Sequence, residues 1–371
     1  MKFSCEKLLL LTAILTAMRG AATKSPVPLL EGLLLEVHED SVKISGYDLK
    51  TGIVTTVPAD VENPGGIVLN ARLFAEIVRK MPGQYITLSI NSGYVAQISS
   101  EMSEFEILGS PISDYPELPT VDGQDSLEIS EALLKRMISQ TNFAVSDNES
   151  RPIHTGALFE AENGELTIVA VDGYRLALRK EALENSDVSN ISFVVPGSAL
   201  TEVERIASDG EEKVKITLGS KHILFSIGDT LLISRRLEGE FLNYKNSIPQ
   251  TAKYQLKVDK SELISAVERV SLIISDKLKS PVRCVFGDGV LNLYSASSLG
   301  KASDECEIDG NGEELEIGFN DKYLLEALKA APADNVNLEL NTGITPCIIS
   351  PAGDYNNFLY MILPVRLKAY D

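Results

Sequence analysis

Cysteine and histidine, the residues most often used in metal sites and nucleophilic catalysis, are few and scattered in this 371-residue chain. The cysteines Cys5, Cys284, Cys306 and Cys347 contain no CxxC pair, and the three histidines form no HExxH motif. Zinc sites and disulfide frameworks depend on regular spacing of these residues. We therefore expect free thiols, no metal and no cofactor. Thiols of this kind are typical of a reducing cytosol, so we expect a cytoplasmic location.

Motifs for nucleotide binding and hydrolysis are also absent from the sequence. It contains no GxxxxGK[ST] loop, GxGxxG fingerprint, GxSxG elbow or EF-hand loop. Paired carboxylates do occur, but among 53 acidic residues such pairs are expected on solvated surfaces. The sequence therefore favours a non-catalytic protein, and an enzyme with an active site between domains is the weaker alternative.

The basic residues are not distributed evenly along this acidic chain. With 34 Lys+Arg against 53 Asp+Glu the net charge is −19, which argues against general binding of nucleic acid. The predicted helices nevertheless carry +3, from twelve basic and nine acidic residues, whereas the remainder carries −22. Either exposed helix faces favour Lys and Arg for their helix propensity, or the helices contact phosphates without sequence preference. The six helices span 6–19, 71–81, 130–141, 198–208, 260–275 and 320–330.

Three segments of the chain share one pattern. Each begins with a short alternating strand that runs into a helix, at 3–9, 127–133 and 256–262. Ser130 and Asp259 are the expected N-caps of the second and third of these helices. A second helix follows later in each segment, directly after another short strand. The period of roughly 125 residues is that of a domain and not of a solenoid repeat.

We therefore expect an α+β fold of three tandem domains, each with two helices on an antiparallel sheet. The expected boundaries are 1–122, 123–250 and 251–371. In the third domain, Gly287-Asp288-Gly289 between two alternating runs predicts a hairpin turn.

The N-terminal apolar run 8–17 superficially resembles a secretory signal peptide. Glu6 and Lys7 stand directly before it, where a signal would carry positive charge only, and the repeat predicts that the run is a helix of the fold. The chain has no run of 18 apolar residues, so no membrane-spanning segment is expected.

Several motifs of the chain carry a resemblance to a known family. They are RPIHTGALFE at 151–160, VAVDGYRLA at 169–177, MKF at 1–3, GFN at 318–320 and LPVRL at 363–367. These motifs resemble the bacterial DNA polymerase III beta subunit, the sliding clamp, and their order and the chain length agree with that family along the whole chain. The resemblance implies a head-to-tail homodimer of three-domain subunits, closed into a ring whose twelve helices line the hole. Such a ring encircles duplex DNA and tethers the replicative polymerase, as a non-catalytic processivity factor in DNA replication.

The resemblance also implies that partners insert short peptides, apolar at one end, into a cleft between the second and third domains. The partners would be the DNA polymerase III alpha subunit, the clamp loader and other proteins with a clamp-binding motif. Carried over position by position, the cleft comprises His154, Val171, Gly173, Tyr174, Arg175, Leu176, Leu242, Asn320, Tyr323, Ile344, Pro346, Met361, Ile362, Leu363, Pro364, Val365 and Arg366.

Contacts with double-stranded DNA carry over less completely. Lys24 stands where the family often has a basic loop residue, whereas Pro152 and Ile153 replace aromatic residues of some relatives. Gly197 and Ser198 stand where relatives carry basic residues. The remaining candidates are basic residues on predicted helices, namely Arg72, Arg79, Lys80, Lys135, Arg136, Arg205, Arg269 and Lys322.

At the subunit interface we expect an apolar seam in which Phe105 and Ile107 of one subunit meet Ile273 and Ile274 of the other. The chain also continues for four residues (368–371) past the Arg-Leu pair at which such clamps commonly end, and our hypothesis is that Tyr370 shades the empty cleft. The alternative to a clamp is a triplicated protein-interaction scaffold without a DNA role, in which the basic helices are solvated faces.

Overall fold

The computed structural model describes residues 1–91, 93–123, 125–183, 190–274, 280–353 and 357–367. Within these ranges no helix is both long enough and apolar enough to cross a lipid bilayer. The chain forms two compact units. Unit 1 comprises Met1–Lys135 with Thr201–Arg236, and unit 2 comprises Arg136–Leu200 with the chain from Leu237 onward.

In the first third of the chain, two helices alternate with antiparallel strands, as predicted. The apolar run near the N-terminus forms the first helix and buries Leu10 and Ile14 against Phe74 and Val78 of the second helix's segment. Each such fully buried side chain contributes roughly 1.5–3 kcal/mol relative to its exposed state. The elements are β1 (Lys2–Glu6), α1 (Lys7–Ala17), β2 (Gly32–Val37), β3 (Ser41–Tyr47), β4 (Thr51–Pro58), β5 (Asp60–Asn63), β6 (Gly65–Asn70), α2 (Ala71–Lys80), β7 (Tyr85–Ile90), β8 (Val95–Ser100) and β9 (Ser103–Leu108).

The middle third repeats this order of elements. Its first helix starts at Glu131, and the Ser130 hydroxyl accepts a hydrogen bond from the Leu133 N–H at 3.3 Å, which confirms Ser130 as the N-cap. The elements are β10 (Ser126–Ser130), α3 (Glu131–Ser139), β11 (Gly156–Glu162), β12 (Glu165–Val171), β13 (Arg175–Ala182), β14 (Ile191–Pro196), α4 (Gly197–Ile206), β15 (Lys213–Leu218), β16 (His222–Ile227) and β17 (Thr230–Arg235).

In the last third, two long strands replace the several shorter strands that lie between the two helices of the other repeats. Asp259 caps its first helix, because its carboxylate accepts a hydrogen bond from the Glu262 N–H at 2.9 Å. That helix ends at Ser271, before the predicted end at Ser275, a residue outside the described ranges. The elements are β18 (Tyr254–Asp259), α5 (Lys260–Ser271), β19 (Val282–Ser297), β20 (Gly300–Phe319), α6 (Asp321–Ala330), β21 (Asn335–Leu340), β22 (Cys347–Pro351) and β23 (Phe358–Ile362).

The hairpin turn predicted at Gly287-Asp288-Gly289 is wrong. These residues lie inside β19, where the pairing with β20 shifts register on both sides of Asp288. Gly289 has φ +72°, a conformation that favours glycine. The glycines therefore accommodate a bulge while the two strands remain paired, and the turn falls at 298–299.

The strands form long antiparallel sheets within each unit. In unit 1, one sheet has the order β5-β1-β7-β8-β9 and another the order β10-β15-β16-β17-β4-β3-β2-β6. In unit 2, one sheet has the order β14-β11-β12-β13-β23-β22-β21-β18-β20-β19. This last sheet contains strands from both the middle and the last third of the chain.

The start of the first helix is fixed in the same way in all three repeats. Its first residue donates its backbone N–H to the carbonyl that directly precedes the strand after the second helix. These bonds are Lys7 to Gln84 at 2.7 Å, Glu131 to Glu212 at 2.8 Å and Lys260 to Asp334 at 2.9 Å. The threefold repeat predicted from the sequence is therefore confirmed in the backbone.

The side chains at the same three positions differ in charge. The Lys7 ammonium donates to the Met81 carbonyl, and the Lys260 ammonium donates to the Ala331 carbonyl at 2.9 Å. In the middle repeat the polarity is reversed, because the Glu131 carboxylate accepts the backbone N–H of Ser208 at 2.6 Å. In each repeat this contact ties the first helix to the end of the second.

Candidate partner-peptide cleft

The antiparallel pairing of β13 with β23 joins the middle and last thirds of the chain within unit 2. Leu176 pairs with Met361, and Leu178 with Leu359. Alternate residues of a strand face opposite sides of a sheet, so these four side chains share one face. The hydroxyl of Tyr360, on the opposite face, donates to the Ala330 carbonyl of α6 at 3.2 Å. We call the face away from α6 the outer face.

The outer face carries an apolar cluster that includes three predicted cleft residues, Val171, Leu176 and Met361. Leu176 is only 1% exposed, so it forms part of the floor of this surface. Leu178 and Leu359 are half-buried beside it. The cluster therefore provides an aliphatic floor with a partly exposed margin, which suits apolar peptide side chains.

Arg175 connects the turn before β13 to helix α6. Its Nε bonds Asp172 at 2.9 Å, its Nη2 donates to the Phe143 carbonyl at 2.6 Å, and its Nη1 pairs with Glu326 of α6. The guanidinium also lies 4.4 Å from the ring centroid of Tyr323. Because Arg175 is 8% exposed, these contacts compensate a nearly desolvated charge.

Two tyrosines stack at the edge of this network. The rings of Tyr174 and Tyr323 have centroids 6.2 Å apart and an interplanar angle of 25°. Tyr323 lies in the first turn of α6, where the side chain of Asn320 caps its backbone N–H at 3.1 Å. Burial and the nearby Asp172 carboxylate raise the pKa of Tyr323. Tyr174 is 62% exposed, so it presents an aromatic surface to solvent beside the apolar cluster.

Gly173 permits the turn that carries Tyr174. Its φ is +92°, and a Cβ placed there would meet nothing within 4 Å, so glycine is required by the backbone conformation and not by crowding. The Asp172 carboxylate accepts the Tyr174 N–H at 2.9 Å and thereby closes the turn.

The segment 237–250 crosses the outer face. His154 contacts Phe241 edge to face, with ring centroids 5.6 Å apart. Burial, together with the positive charge of Arg151, lowers the pKa of His154. Tyr244 lies in the apolar cluster, and its hydroxyl donates to Glu160 at 2.6 Å. Burial and this hydrogen bond raise the pKa of Tyr244.

The C-terminal members of the predicted cleft follow β23. Ile362 pairs with Arg175, and the Leu363 N–H donates to the Tyr174 carbonyl at 2.8 Å. Val365 pairs with Gly318 in an isolated bridge, while Pro364 is half-buried and Arg366 is exposed. The backbone thus brings 362–365 beside the stacked tyrosines. Lys368–Asp371, with the hypothesis on Tyr370, lie outside the described residues.

Three predicted cleft residues lie in loops and are connected less closely to this surface. Ile344 is 81% exposed in the loop between β21 and β22, and Pro346 is half-buried in the same loop. Leu242 is exposed in the crossing segment, next to Phe241. None of the three belongs to the apolar cluster of the described residues.

Sequence reasoning missed several residues of the cluster. Leu176 and Met361 were expected from the family resemblance, and strand alternation places Leu178 and Leu359 on the same face, so that signal was available. The crossing segment carries no such periodicity, and its role was not predictable from the sequence. The missed residues are Leu158, Val169, Val194, Tyr244 and Ile348, with Ile153, Leu178, Leu237, Phe241, Ile248 and Leu359 packed against them.

The predicted DNA-contacting residues divide into two groups by their ion pairs. Lys135 is half-buried, and the side chains of the other eight are exposed. Five of them are paired with acids: Arg79 with Glu76, Lys135 with Asp209, Arg205 with Glu202, Arg269 with Asp304 and Lys322 with Glu326. Among the residues that the structure describes, Lys24, Arg72, Lys80 and Arg136 make no ion pair.

The predicted interface residues lie at strand edges and helix ends. Phe105 and Ile107 belong to β9, the edge strand of a sheet in unit 1, and Phe105 is exposed. Ile273 and Ile274 follow α5 in unit 2 and are half-buried. An edge strand presents unpaired backbone groups that can pair with another chain.

Known proteins resemble the chain along its whole length. The N-terminal, central and C-terminal domain families of the DNA polymerase III beta subunit match residues 1–119, 128–243 and 245–366. A beta sliding clamp from Staphylococcus aureus is 34% identical over 377 residues, covering 99% of both chains.

Solved structures agree with the sequence comparisons. The DNA polymerase sliding clamp of Bacillus subtilis has a TM-score of 0.94 and 32% identity, covering 99% of this chain and 100% of that chain. The DNA polymerase III beta subunit of Thermotoga maritima has a TM-score of 0.91 and 29% identity, covering 99% of this chain and 100% of that chain. With the expected three tandem α+β domains thereby confirmed, the chain belongs to the DNA polymerase III beta subunit family, the beta sliding clamps.

Proposed function

We propose that this protein acts in the cytoplasm as the sliding clamp of a replicative DNA polymerase, a non-catalytic processivity factor. Two subunits would join head to tail and enclose double-stranded DNA in a ring. The observation that carries the proposal is the tandem match of all three beta subunit domain families in order. The proposed domains are 1–122, 123–250 and 251–371, and the repeated helix-start contacts of Lys7, Glu131 and Lys260 support this division.

We further propose that the outer face beside Tyr174 and Tyr323 is the cleft for partner peptides. Within unit 2 it combines an aliphatic floor, an exposed aromatic ring and a few fixed polar groups, the usual composition of a specific binding site. The polymerase alpha subunit, the clamp loader and other proteins with a clamp-binding motif would insert the apolar end of a peptide here.

DNA would be held by weak contacts from basic residues on the helices and from Lys24 in a loop. Of the nine candidates, we assign the main role to Lys24, Arg72, Lys80 and Arg136, because each of the others is already paired with a carboxylate. Contacts of this kind are independent of sequence and sensitive to salt. They allow the ring to slide, because retention on DNA would depend on closure of the ring and not on tight local binding.

At the subunit interface, β9 with Phe105 and Ile107 would meet the region of Ile273 and Ile274 in the other subunit. The edge position of β9 and the exposure of Phe105 support this arrangement. A head-to-tail contact is heterologous, so it closes only if the rotation between subunits completes a ring. Sedimentation should therefore give the mass of a dimer, and a monomer at micromolar concentration would contradict the ring.

The decisive experiment compares retention on circular and linear DNA. The protein is loaded onto nicked circular plasmid by its clamp loader, half of the sample is linearised, and both halves are passed through a gel-filtration column. A clamp remains with the circle and is lost from the linear form. Equal retention would indicate a simple DNA-binding protein, and no retention on either form would favour the interaction scaffold.

A further inference from the structure

A groove on the outer face of unit 2 is not part of the predicted cleft. It has a volume of about 530 Å³, within the range of specific ligand sites. Its floor is apolar and is formed by Leu178, Leu359 and Ile248. Tyr244 forms one wall.

This groove is continuous with the proposed cleft. The pair Leu178–Leu359 lies two residues along β13 and β23 from the pair Leu176–Met361, a separation of roughly 7 Å along the strands. Leu178 and Leu359 pack against the apolar cluster and also line the groove, and Tyr244 belongs to both. An extended peptide with an apolar side chain in the cleft could therefore place its neighbouring residues in the groove.

The rim of the groove carries an acidic pair without a partner. Glu162 and Glu165 lie directly opposite each other in the β11–β12 hairpin, and like charges in this position are destabilising. Among the described residues neither carboxylate makes an ion pair or a side-chain hydrogen bond. The third glutamate of the rim, Glu160, is bound by the Tyr244 hydroxyl at 2.6 Å and lies 3.8 Å from the Lys245 ammonium.

Two lysines line the groove, and one of them, Lys245, is already paired with Glu160. Lys180 also lines the groove, and its ammonium makes no ion pair among the residues described. It stands opposite Thr167 in the register of β12 and β13. The unpaired charges of the rim are thus two carboxylates and one ammonium, which leaves an excess of negative charge beside an apolar floor.

We propose that this groove binds a basic, partly apolar segment of the same partner peptides, directly adjacent to the residues that occupy the cleft. The inference rests on the proposed function of the cleft and adds a rule for partner choice. Partners with lysine or arginine beside their apolar end bind more tightly than partners with neutral or acidic residues there. A cation between Glu162 and Glu165 also relieves their mutual repulsion.

The test uses fluorescein-labelled peptides and the full-length protein. The core peptide contains Leu-Ile-Phe. It is extended either before or after these three residues by Lys-Leu-Lys, and each extended peptide has a matched neutral form with Gln-Leu-Gln in the same place. In fluorescence anisotropy at low salt, we expect one lysine peptide to bind about 3- to 10-fold more tightly than its glutamine form. The difference should shrink at high salt, since exposed charges are screened.

Two variants of the groove should change this preference in opposite directions. The double variant E162Q/E165Q should remove it, and K180Q should enlarge it. The matched control E211Q/E212Q, in an exposed loop of unit 1, removes the same charge and should leave the preference unchanged. Thermal unfolding of each variant confirms that it is folded.

The outcomes separate this inference from the proposed function. Equal affinities of the lysine and glutamine peptides, or a preference that persists in E162Q/E165Q, would overturn the inference while the cleft stands. Failure of the unextended core peptide to bind would overturn the cleft and the inference with it, whereas the plasmid assay would still report on the ring.

Discussion

The guanidinium of Arg175 lies 4.4 Å from the ring centroid of Tyr323, and the two residues are far apart in the sequence. This contact joins the turn before β13 to helix α6, and Tyr174 extends it to the surface by stacking on Tyr323. One buried cation thus holds together the elements that carry the proposed cleft.

Replacing Arg175 by methionine should destabilise the protein by about 3–5 kcal/mol, because Asp172 and Glu326 would lose their compensating charge. Urea denaturation followed by circular dichroism measures the loss. The control is Arg205→Met, which breaks the exposed pair with Glu202 and should cost less than about 1 kcal/mol. Similar losses in the free energy of unfolding for the two variants would show that Arg175 does not hold the turn before β13 to α6.

Replacing Tyr174 by alanine should weaken binding of an apolar partner peptide about 10-fold, since exposed tyrosines at the centre of an interface are frequent hot spots. The variant should fold normally because Tyr174 is 62% exposed. Tyr85→Ala is the matched control, since Tyr85 is 63% exposed in unit 1. Calorimetry with one peptide measures both, and an unchanged dissociation constant for Tyr174→Ala would mean that the cleft is located elsewhere.

Reversing the charge of the unpaired basic residues should weaken contact with DNA most. We expect Arg72→Glu with Arg136→Glu to lower the affinity for a short linear duplex about 10-fold at low salt. Arg205→Glu with Arg269→Glu should have a smaller effect, because these side chains are already engaged with Glu202 and Asp304. Sedimentation should give the same mass for the assembly in both double variants. A larger loss of DNA affinity for Arg205→Glu with Arg269→Glu would contradict the main role assigned to the unpaired residues.

Stability should fall as the pH drops below about 6.5. Burial and Arg151 lower the pKa of His154 in the folded chain, so the unfolded chain binds this proton more readily. The stabilising contribution is present above the unfolded pKa and is lost as the pH falls through the folded pKa. His222 shifts in the same direction, chiefly through burial. Urea denaturation at pH 7.5 and 5.5 should show a smaller loss for His154→Gln than for the unchanged protein, and an equal loss would argue against this origin.

The four cysteines should resist alkylation while the protein is folded. All are free and buried, and burial raises the pKa of Cys5 to about 11 and that of Cys306 to about 12. Because the thiolate is the reactive form, iodoacetamide at pH 8 should modify none of them within an hour. In urea all four should react, as counted by mass spectrometry. Rapid labelling of the native protein would indicate local opening of the cores.

The sequence predicted the helices closely because their signals are local. Helix periodicity and the caps at Ser130 and Asp259 depend on residues within one turn of each other. The segment Gly287-Asp288-Gly289 was predicted wrongly because glycines permit both a turn and a bulge, and distant pairing with β20 selects the bulge. Local residue types could not distinguish these two outcomes.

The apolar cluster of the outer face was predictable from the sequence only in part. Strand alternation reveals which residues share a face, but Leu176 lies in the floor, so its replacement by alanine would open a cavity at a cost of about 2–5 kcal/mol in addition to any effect on binding. The pairing of Arg175 with Glu326 joins residues 151 positions apart, and no sequence pattern connects them. The proposed domain boundaries and site residues remain predictions.

The reversed polarity of the middle repeat limits how its parts can be exchanged. A chimera that swaps the opening helices of the first and last repeats would keep an ammonium opposite a carbonyl, as Lys7 and Lys260 do now. If either of these helices replaced the first helix of the middle repeat, its lysine ammonium would face the backbone N–H of Ser208, which the Glu131 carboxylate now accepts. The first helices of the three repeats are therefore not interchangeable, although all three begin with the same backbone contact.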